Sequence, residues 1–493
     1  MASDLDYDVI IVGAGISGVN FAYRLQENHP NMTFCIVESR HEMGGTWSLF
    51  KYPGIRSDSD LYTFGFQWNP WLQKEAIASG PHILSYLNES ARKAGLDDKI
   101  KYNHQVTQMS WDTPSATWTL DVSVGGGGND PATRQTILLR SRFVLMGTGY
   151  YDFKEPLKTE IPGIDSFGGD VIHPQFWPED YSYKGKNVVI IGSGATAVTL
   201  LPSMAEEAGH VTMLQRSPTY IISRVGQSPI ERLARAWLPP WMAYHVIRAK
   251  CILFSIFMVT YADWFPARAN RLALGATAKQ LPEGASLERD FTPSYNLWEQ
   301  RVCLSPDGDF YQSLRQGKAS VKTDHIDTVT RNSIKLKSGA ELHPDVIVTA
   351  TGLKLRMAGG IDIVVDGKPY DMSAHFAWNN SMLDDLPNVM LAWGYVNASW
   401  TLGADTTSLL FCRLITAMNK KGAKAIVARR RTAGEINMSK VPILNLNSTY
   451  VRKGVGNIPS CGDQPQWLPR TNYIKDLARA TLGDVESGLE WIK

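Results

Sequence analysis

Short apolar runs that end in glycine-rich turns occur twice in this chain of 493 residues, and each is followed by a helical pattern and another apolar run. The first set lies at Tyr7–Val12, Val19–Leu25 and Thr33–Val37. The second set lies at Asn187–Ile191, from Ala197 onward, and at His210–Leu214. Strand, glycine turn, helix and strand form the opening unit of a doubly wound parallel sheet. The pattern therefore predicts an α/β protein with two dinucleotide-binding (Rossmann-like) domains.

Between the two units, alternating apolar and polar residues predict short antiparallel strands and then a strand that returns to the first sheet. The antiparallel strands are predicted at Lys101–Thr107, Gln108–Thr113, Thr117–Ser123 and Thr136–Arg140. The returning strand is predicted at Arg142–Gly149, and the Gly-rich stretch 125–131 is predicted to be a surface loop. The first domain thus has a small antiparallel addition.

A long segment rich in Trp, Pro, Arg and Ala, Pro218–Leu297, breaks the α/β pattern and predicts a helical insertion. Its strongest apolar run, Cys251–Ala262, is too short to cross a bilayer core of about 30 Å as a helix. We expect a buried or amphipathic helix at this run and no stable membrane insertion.

Composition excludes several partners and site types. A formal net charge of +2 offers no field for binding nucleic acid. The five cysteines are scattered, odd in number and without a CxxC pair, which argues for a reducing compartment and against a zinc site or dithiol centre. The acidic amino terminus runs straight into a strand and does not resemble a secretory signal. We expect a cytoplasmic protein, a monomer or homodimer, with no bound metal.

The first glycine loop has the residues that a flavin dinucleotide needs. Gly13 allows the tight turn, Gly15 lets the backbone approach a pyrophosphate, and Gly18 permits close packing of helix on strand. The amino terminus of the helix supplies N–H groups and the positive end of a dipole. Glu38 ends the second strand, where a carboxylate can accept hydrogen bonds from ribose hydroxyls. We predict that this loop binds FAD; the alternative for Glu38 is an ordinary carboxylate at a strand end.

The second glycine loop has the variant pattern G-x-G-x-x-A, formed by Gly192, Gly194 and Ala197. Arg216 stands after the second strand of this unit, where an acidic residue would favour NAD. A guanidinium suits the 2′-phosphate of NADP through a bidentate, charge-assisted contact. We predict NADPH at this loop; the alternative for Arg216 is an ion pair with a surface carboxylate.

Two longer segments carry more specific patterns than the glycine loops. Segment 44–58 fills every fixed position of [A/G]-G-x-W-x-x-x-x-[F/Y]-P-[G/M]-x-x-x-D, with Gly44, Gly45, Trp47, Tyr52, Pro53, Gly54 and Asp58. Segment 167–178 fills F-x-G-x-x-x-H-x-x-x-W-P, with Phe167, Gly169, His173, Trp177 and Pro178. Both segments resemble the patterns of type I flavin-dependent Baeyer–Villiger monooxygenases. The stretches IGSGATAVTL, MLQRSPTYI and GYVNASWTL are similar to the ethionamide-activating type in particular.

This resemblance implies conversion of ketones to esters or lactones with NADPH and O₂, through a flavin C4a-peroxide, and oxidation of sulfides as well. By order and context, Arg301 resembles the catalytic arginine of the family. Its guanidinium keeps its proton, so it can stabilise the peroxide anion and the oxyanion formed on the ketone. Asp58 would orient Arg301 through an ion pair, while Gly45 and Trp47 would lie beside the flavin ring. The alternative for Arg301 is a surface arginine.

Other parts of the resemblance are structural. His173 and Trp177 are interpreted as residues that couple the two domains, with no chemical step of their own. Gln300 departs from the lysine that many relatives have there, which leaves more of the NADPH preference to Arg216. The predicted division is FAD-binding domain in 1–150 and 386–493, NADP-binding domain in 151–220 and 320–385, and helical insertion in 221–319.

Three other functions share parts of these patterns. A flavin monooxygenase that oxygenates nitrogen or sulfur in soft nucleophiles has both nucleotide loops and a looser version of the longer segments. An NADPH-dependent disulfide reductase has the same two-domain plan but needs a dithiol. A flavin-binding redox sensor would leave Asp58 and Arg301 without a role.

Overall fold

The computed structural model describes residues 5–125, 135–224, 226–444 and 449–493. The strands are β1 Tyr7–Val12, β2 Phe34–Val37, β3 Ile100–Lys101, β4 His104–Asp112, β5 Thr117–Val124, β6 Gln135–Met146, β7 Asp170–Ile172, β8 Asn187–Ile191, β9 His210–Gln215, β10 Ile221–Arg224, β11 Cys303–Pro306, β12 Ala319–Thr323, β13 Ile326–Val329, β14 Ile334–Leu336, β15 Glu341–Leu342, β16 Val346–Thr349, β17 Asp362–Val365, β18 Lys368–Pro369, β19 Ala377–Trp378, β20 Met382–Leu383, β21 Val389–Leu391, β22 Ala425–Ala428, β23 Val441–Pro442, β24 Ser460–Cys461 and β25 Leu489–Ile492.

The helices of the same residues are α1 Ile16–Asn28, α2 Thr46–Leu49, α3 Leu61–Phe64, α4 Gly80–Lys93, α5 Ala195–Met204, α6 Pro229–Trp237, α7 Pro240–Trp264, α8 Pro266–Ala278, α9 Leu287–Phe291, α10 Asp309–Arg315, α11 Trp400–Lys421, α12 Ala433–Ile436, α13 Thr449–Gly454 and α14 Tyr473–Leu482.

The first sheet has the strand order β18-β17-β4-β5-β6-β1-β2-β3, and β21 also pairs with β6. β1 lies parallel between β2 and β6, with Val9 opposite both Phe34 and Phe143. β1 and β2 are apolar along nearly their whole length and buried, as expected of parallel strands covered on both faces. α1 and α11 pack together beside this sheet, so the carboxyl-terminal part of the chain returns to the first domain.

The second sheet is fully parallel, with the order β12-β9-β8-β16-β7. Its core includes the buried residues Val188, Ile190, Val211 and Val348. The first sheet is mixed, with β1, β2 and β6 parallel and β4 to β6 antiparallel, whereas the second is parallel throughout. Each contains a unit of strand, glycine loop and helix, which confirms the predicted α/β class with two dinucleotide-binding units.

Several predicted boundaries are wrong. The two strands predicted between 101 and 113 are one strand, β4, whose register shifts between Val106 and Gln108. The strands predicted on either side of Ser141 are one strand, β6. Within the predicted surface loop 125–131, residues 126–131 lie outside the described residues.

The predicted domain limits also need correction. β17 pairs with β4, so residues 362–365 belong to the first sheet and not to the second domain as predicted by the limit at 385. The predicted insertion 221–319 begins and ends with strands: β10 and β11 pair with each other, and β12 joins the second sheet at β9. The helical part of the insertion is α6 to α9.

The apolar run Cys251–Ala262 lies in α7, which has 25 residues and is therefore twice as long as the run. Among the described residues, this helix has the length and composition to cross a membrane, with a mean hydropathy of 1.5 in its most apolar window. Only 28% of that window is buried. Of the two expectations for this run, a buried helix is wrong, because Leu253, Phe254 and Phe257 are exposed.

Candidate active site

A cavity of about 280 Å³ lies at the carboxyl end of β1. It brings together seven of the predicted site residues: Gly13, Gly15, Glu38, Gly45, Trp47, Asp58 and Arg301. A cleft outside the carboxyl ends of parallel strands is where open α/β sheets bind their ligands. The cavity is therefore the candidate active site.

The first glycine loop is shaped by close backbone contacts. Gly13 has a φ of +99°, and a Cβ there would lie 2.9 Å from the carbonyl oxygen of Gly147. A Cβ on Gly18 would lie 1.9 Å from the carbonyl oxygen of Gly13. Gly15 differs, because a Cβ there would meet nothing nearer than 3.8 Å. Gly15 is the N-cap of α1 and provides no side-chain cap, so the first N–H groups of the helix open toward a space that suits a pyrophosphate.

Glu38 stands beside this loop and is only 6% exposed. Its carboxylate accepts hydrogen bonds from the backbone N–H groups of Ala14, at 2.8 Å, and Arg40, at 2.9 Å. Arg40, which the sequence patterns did not single out, donates to the Gly45 carbonyl at 3.2 Å and to the Ser48 hydroxyl at 2.7 Å. Glu38 and Arg40 thus hold the first loop and segment 44–58 around one cavity.

Segment 44–58 connects the cavity to the second domain. Trp47 packs edge-on against Phe64, with ring centroids 5.6 Å apart. Tyr52 packs against the core of the second domain, where burial raises the pKa of its phenol to about 12 despite a hydrogen bond with Thr196. Gly54, with a φ of +75°, lies so close to α5 that a Cβ would be 2.7 Å from the Cβ of Ser203. The segment therefore fixes the distance between the two glycine loops.

Gly54→Ala should lower the melting temperature more than Gly317→Ala. Both glycines have a φ near +70°, but a Cβ on Gly317 would meet no atom within 4 Å. The control substitution carries only backbone strain, about 1 kcal/mol, whereas Gly54→Ala adds a clash of about 1–3 kcal/mol. Thermal unfolding of the two variants measures the difference. Equal melting temperatures would mean that the contact between Gly54 and α5 is not tight.

Arg301 and Asp58 meet at the edge of the cavity although 243 positions separate them in sequence. Arg301 Nη1 donates to Asp58 Oδ2 at 2.8 Å. The two side chains are 34% and 40% exposed, and pairs this exposed contribute at most about 1 kcal/mol to stability. The ion pair therefore contributes little to the stability of the fold, and its importance for function lies in the position of the guanidinium beside the cavity.

Two further arginine–aspartate pairs stabilise the same junction. Arg56 bonds to Asp309, at the start of α10, and Arg224 lies 3.5 Å from Asp60. Asp60 also caps α3 by accepting from the N–H of Thr63 at 2.9 Å. Together with the Asp58–Arg301 pair, these contacts attach residues 56–60 to β10, to α10 and to the residue Arg301 before β11.

The residues predicted to bind NADPH lie outside the cavity, on the second sheet. Gly192 has a φ of +129°, and a Cβ there would be 2.3 Å from the carbonyl oxygen of Ala350. Gly194 caps α5 without a side chain, and a Cβ there would meet nothing within 4 Å. Ala197 is fully buried. The second loop therefore repeats the geometry of the first: tight at its first glycine and open at its second.

Arg216 follows β9 and is exposed. The next residue, Ser217, accepts a hydrogen bond from the Ser193 hydroxyl at 3.3 Å, so the segment of Arg216 lies against the second glycine loop. This is the place where the 2′-phosphate of a nucleotide bound at the loop would lie.

The fingerprint segment 167–178 contains β7, the edge strand of the second sheet. A Cβ on Gly169 would be 2.4 Å from the carbonyl oxygen of Asp345. Gln175 donates to the Asp152 carbonyl at 2.6 Å, and Asp152 lines the cavity. The segment is thus in contact with the linker that leaves the first sheet.

The fixed side chains of the fingerprint do not line the cavity. Trp177 is 8% exposed and packs in the core of the second domain. Burial lowers the pKa of His173, and its Nδ1 accepts from the Gln175 N–H at 3.2 Å. Phe167 packs in a neighbouring cluster and Pro178 is exposed. These contacts favour the predicted structural role.

Several residues that line the cavity were not predicted from sequence, including Arg40, Asp152, Lys154, Arg356 and Tyr395. Arg356 lies 3.4 Å from Asp152, and both belong to the linkers between the two sheets. No local pattern marks linker residues of this kind. The GTG turn at 147–149 is different, because its sequence indicates a strand that returns to the first sheet and ends in glycines. In the structure, Gly147 contacts the first glycine loop at Gly13 and Gly18.

One group of residues outside the cavity, formed by His375, Asp384 and Asp385, has potential metal ligands within 4.8 Å of one another. Asp384 is buried, accepts from the Phe376 N–H at 2.6 Å and pairs with Arg430 at 2.7 Å. Asp385 pairs with Arg429. The carboxylates are already neutralised by arginines, so the group is explained as part of the packing.

Comparisons with known proteins give consistent matches. A family model described as pyridine nucleotide-disulphide oxidoreductase matches residues 10–239. The FAD-containing monooxygenase EthA of Mycobacterium tuberculosis (strain ATCC 25618 / H37Rv) is 41% identical over 488 residues, which are 99% of this chain and 98% of that protein.

Two solved structures have a similar fold. The polycyclic ketone monooxygenase of the thermophilic fungus Thermothelomyces thermophila has a TM-score of 0.76 at 18% identity, covering 99% of this chain and 90% of that one. An oxidized steroid monooxygenase bound to NADP has a TM-score of 0.76 at 21% identity, covering 99% of both chains.

Proposed function

The chain belongs to the family of FAD-containing monooxygenases, and we propose that it is a Baeyer–Villiger monooxygenase. The reaction converts a ketone, NADPH, H⁺ and O₂ into an ester or lactone, NADP⁺ and water. The observation that supports it most directly is the pair of Arg301 and Asp58 at the edge of the cavity formed by the first glycine loop. The name of one protein with the same fold, a polycyclic ketone monooxygenase, supports a ketone as substrate.

The residues fit both cofactors. Gly15 leaves space for the pyrophosphate of FAD, and the Glu38 carboxylate lies where a ribose would be bound. Gly194 leaves the same space for NADPH, with Arg216 near the loop. A steroid monooxygenase of this fold is described as bound to NADP, which supports the second assignment. When bound and reduced, the flavin supplies the activated oxygen; NADPH supplies the electrons.

Arg301 carries the chemistry of this chain in our proposal. Its guanidinium keeps its proton at any pH at which the enzyme works. It can therefore hold negative charge on the oxygen of the ketone as the new C–O bond forms, an effect often worth about 3 kcal/mol for a positioned donor. Asp58 fixes the orientation of the guanidinium through the contact at 2.8 Å. Tyr395 and Trp400 add an apolar wall on which a ketone can rest.

The name of the family model, pyridine nucleotide-disulphide oxidoreductase, suggests a mechanism that uses a pair of reactive cysteines. The cysteines of this chain do not support that mechanism. All five cysteines are buried and none forms a disulfide. Burial raises the pKa of Cys303, the one nearest to Arg301, to about 12. Such a thiol is protonated and unreactive at neutral pH. The free state of all five thiols is typical of a reducing compartment, which supports a cytoplasmic enzyme.

Product analysis tests the reaction. The FAD-loaded enzyme is incubated with NADPH, ¹⁸O₂ and a panel of linear, cyclic and aromatic ketones, and the products are analysed by mass spectrometry. We expect an ester or lactone that contains one ¹⁸O atom. In a parallel reaction with thioethers, we expect sulfoxide. Sulfoxide from many thioethers without ester from any ketone would instead favour the alternative, an oxygenase of nitrogen and sulfur in soft nucleophiles.

Arg216→Ala should raise the Michaelis constant for NADPH by about ten- to a hundredfold and leave that for NADH nearly unchanged, because only NADPH has the 2′-phosphate. Steady-state oxidation of both coenzymes measures the two constants. A matched control is Arg331→Ala, which removes an arginine of the same domain near the fingerprint segment. An equal effect of Arg216→Ala on both coenzymes would mean that Arg216 does not contact the phosphate.

A further inference from the structure

Exposed apolar side chains are concentrated on the helical insertion. Of the nineteen large hydrophobic side chains that are strongly exposed among the described residues, twelve lie between 230 and 272. They are Ile230, Leu233, Trp237, Trp241, Met242, Val246, Leu253, Phe254, Phe257, Trp264, Phe265 and Leu272. We call this set the insertion face. Scattered apolar residues are normal on a surface, but a continuous patch of this kind marks a binding surface.

α6 is an amphipathic helix whose apolar side is exposed and whose polar side is partly buried. Its apolar residues Ile230, Leu233 and Trp237 are spaced i, i+3 and i+7, and Leu233 and Trp237 are 63% and 79% exposed. The polar Glu231 on the other side is buried and pairs with Lys250 at 2.6 Å. A surface helix of a soluble protein normally buries its apolar side. The reversed orientation indicates that something apolar covers α6.

α7 continues the insertion face over its whole length. Met242, Val246, Leu253, Phe257 and Trp264 follow one side of the helix at intervals of four and seven residues, and all are exposed. At about 1.5 Å per residue, this side is about 35 Å long. It is a stripe without a charged side chain.

The other side of α7 is attached to the first domain. Arg248 is buried and donates to the Tyr62 carbonyl at 2.6 Å, and α7 packs against α3, α6 and α8. A helix that crosses a bilayer needs apolar surroundings on all sides or other spanning helices. α7 is therefore held in a position where it can lie along an apolar surface but cannot cross it.

The charge around the insertion face identifies the surface. From 229 to 279 there are seven Lys and Arg residues but two acidic residues, Glu231 and Asp263, and Glu231 is buried. Arg232, Arg268 and Arg271 are exposed. A second copy placed by two-fold symmetry would bring these cations against each other. Anionic lipid headgroups would instead neutralise them, and three exposed tryptophans suit the boundary between headgroups and acyl chains.

We propose that the insertion face binds the surface of an anionic lipid bilayer, with α7 parallel to the membrane plane. The apolar side chains of α6 to α8 enter the boundary between headgroups and acyl chains, and the arginines contact lipid phosphates. The domains with the two glycine loops stay in water. The attachment is peripheral and reversible.

Flotation with vesicles tests the proposal. The FAD-loaded protein is mixed with vesicles of phosphatidylcholine, with and without about a third of phosphatidylglycerol, and the floating fraction is measured. We expect binding to the anionic vesicles that weakens as salt is added. The triple variant Leu253→Gln, Phe254→Gln, Phe257→Gln should bind at least about tenfold more weakly. Arg268→Gln with Arg271→Gln should weaken binding to the anionic vesicles only.

The matched control is the triple variant Leu138→Gln, Ile436→Gln, Leu482→Gln, which removes three apolar side chains elsewhere that are exposed by 56% or more. It should float like the unchanged protein. FAD content and melting temperature show whether each variant is folded. The proposal is overturned if the unchanged protein does not float or if both triple variants lose binding equally. It is also overturned if sedimentation shows a dimer that the insertion-face triple variant dissolves while no vesicle is bound.

Discussion

Arg301→Ala is expected to reduce ester formation by at least about two to three orders of magnitude, while NADPH still bleaches the flavin absorbance. The guanidinium lies at the edge of the cavity, paired with Asp58 at 2.8 Å, and is far in sequence from both glycine loops. Its loss removes the fixed positive charge that stabilises the oxygen of the ketone. It should leave the nucleotide loops unchanged. Anaerobic stopped-flow absorbance measures flavin reduction, and gas chromatography measures the ester.

The control for this variant is Arg92→Ala, which removes an exposed arginine from α4 without contact to the cavity. It should keep both activities. Asp58→Asn keeps the shape of the side chain but loses its charge, so we expect a smaller decrease in ester formation than for Arg301→Ala. Normal ester formation by the Arg301 variant would refute the catalytic assignment. Loss of flavin reduction as well would place Arg301 in NADPH binding.

Gly194→Val is expected to decrease the rate of flavin reduction by NADPH by roughly a hundredfold or more, without loss of FAD. The backbone at Gly194, with a φ of −77° and a ψ of −178°, accepts any residue, and a Cβ meets nothing within 4 Å. The protein should therefore fold normally. The valine side chain would occupy the space in which the pyrophosphate of NADPH approaches the helix.

Dithionite provides an internal control, since it should reduce the flavin of the Gly194 variant as fast as that of the unchanged enzyme. Gly275→Val, at an exposed helical glycine that also has open space around it, should have no effect on reduction by NADPH. An unchanged rate in Gly194→Val would mean that NADPH binds elsewhere. Release of FAD from that variant would mean that the second loop serves the flavin.

The parts of the fold that sequence predicted well are those fixed by neighbours along the chain. A glycine loop between an apolar strand and a helix is decided by a dozen consecutive residues, and both loops have the expected turn, as the φ values of Gly13 and Gly192 show. The single long strand β6 was predicted as two strands because the prediction depended on the local residue pattern. Arg140, Ser141 and Arg142 interrupt the apolar pattern, yet Arg142 reaches the Ala423 carbonyl at 2.6 Å and the strand continues.

The sequence predicted which residues belong to the candidate site better than it predicted how they are arranged. The resemblance to known patterns named Asp58 and Arg301 and implied an ion pair between them, but the residues around each do not by themselves bring the side chains to 2.8 Å. Arg40 and Arg356 gave no signal, because their place beside the cavity follows from which segments the fold brings together. The pairing of β17 with β4 has the same origin, since some 250 residues lie between them.

The sequence alone determined the α/β class, the two glycine loops and the residues of segments 44–58 and 167–178, because these depend on local backbone conformation and on residue identity. Only the tertiary structure decided the distance between Arg301 and Asp58, that Gly54 packs on α5, and that α7 turns its apolar side outward. The physical reason is that the spacing of apolar residues predicts which side of a helix is apolar, but does not predict which segments pack against that side. Burial and ion pairing arise when segments that are distant in sequence are packed together.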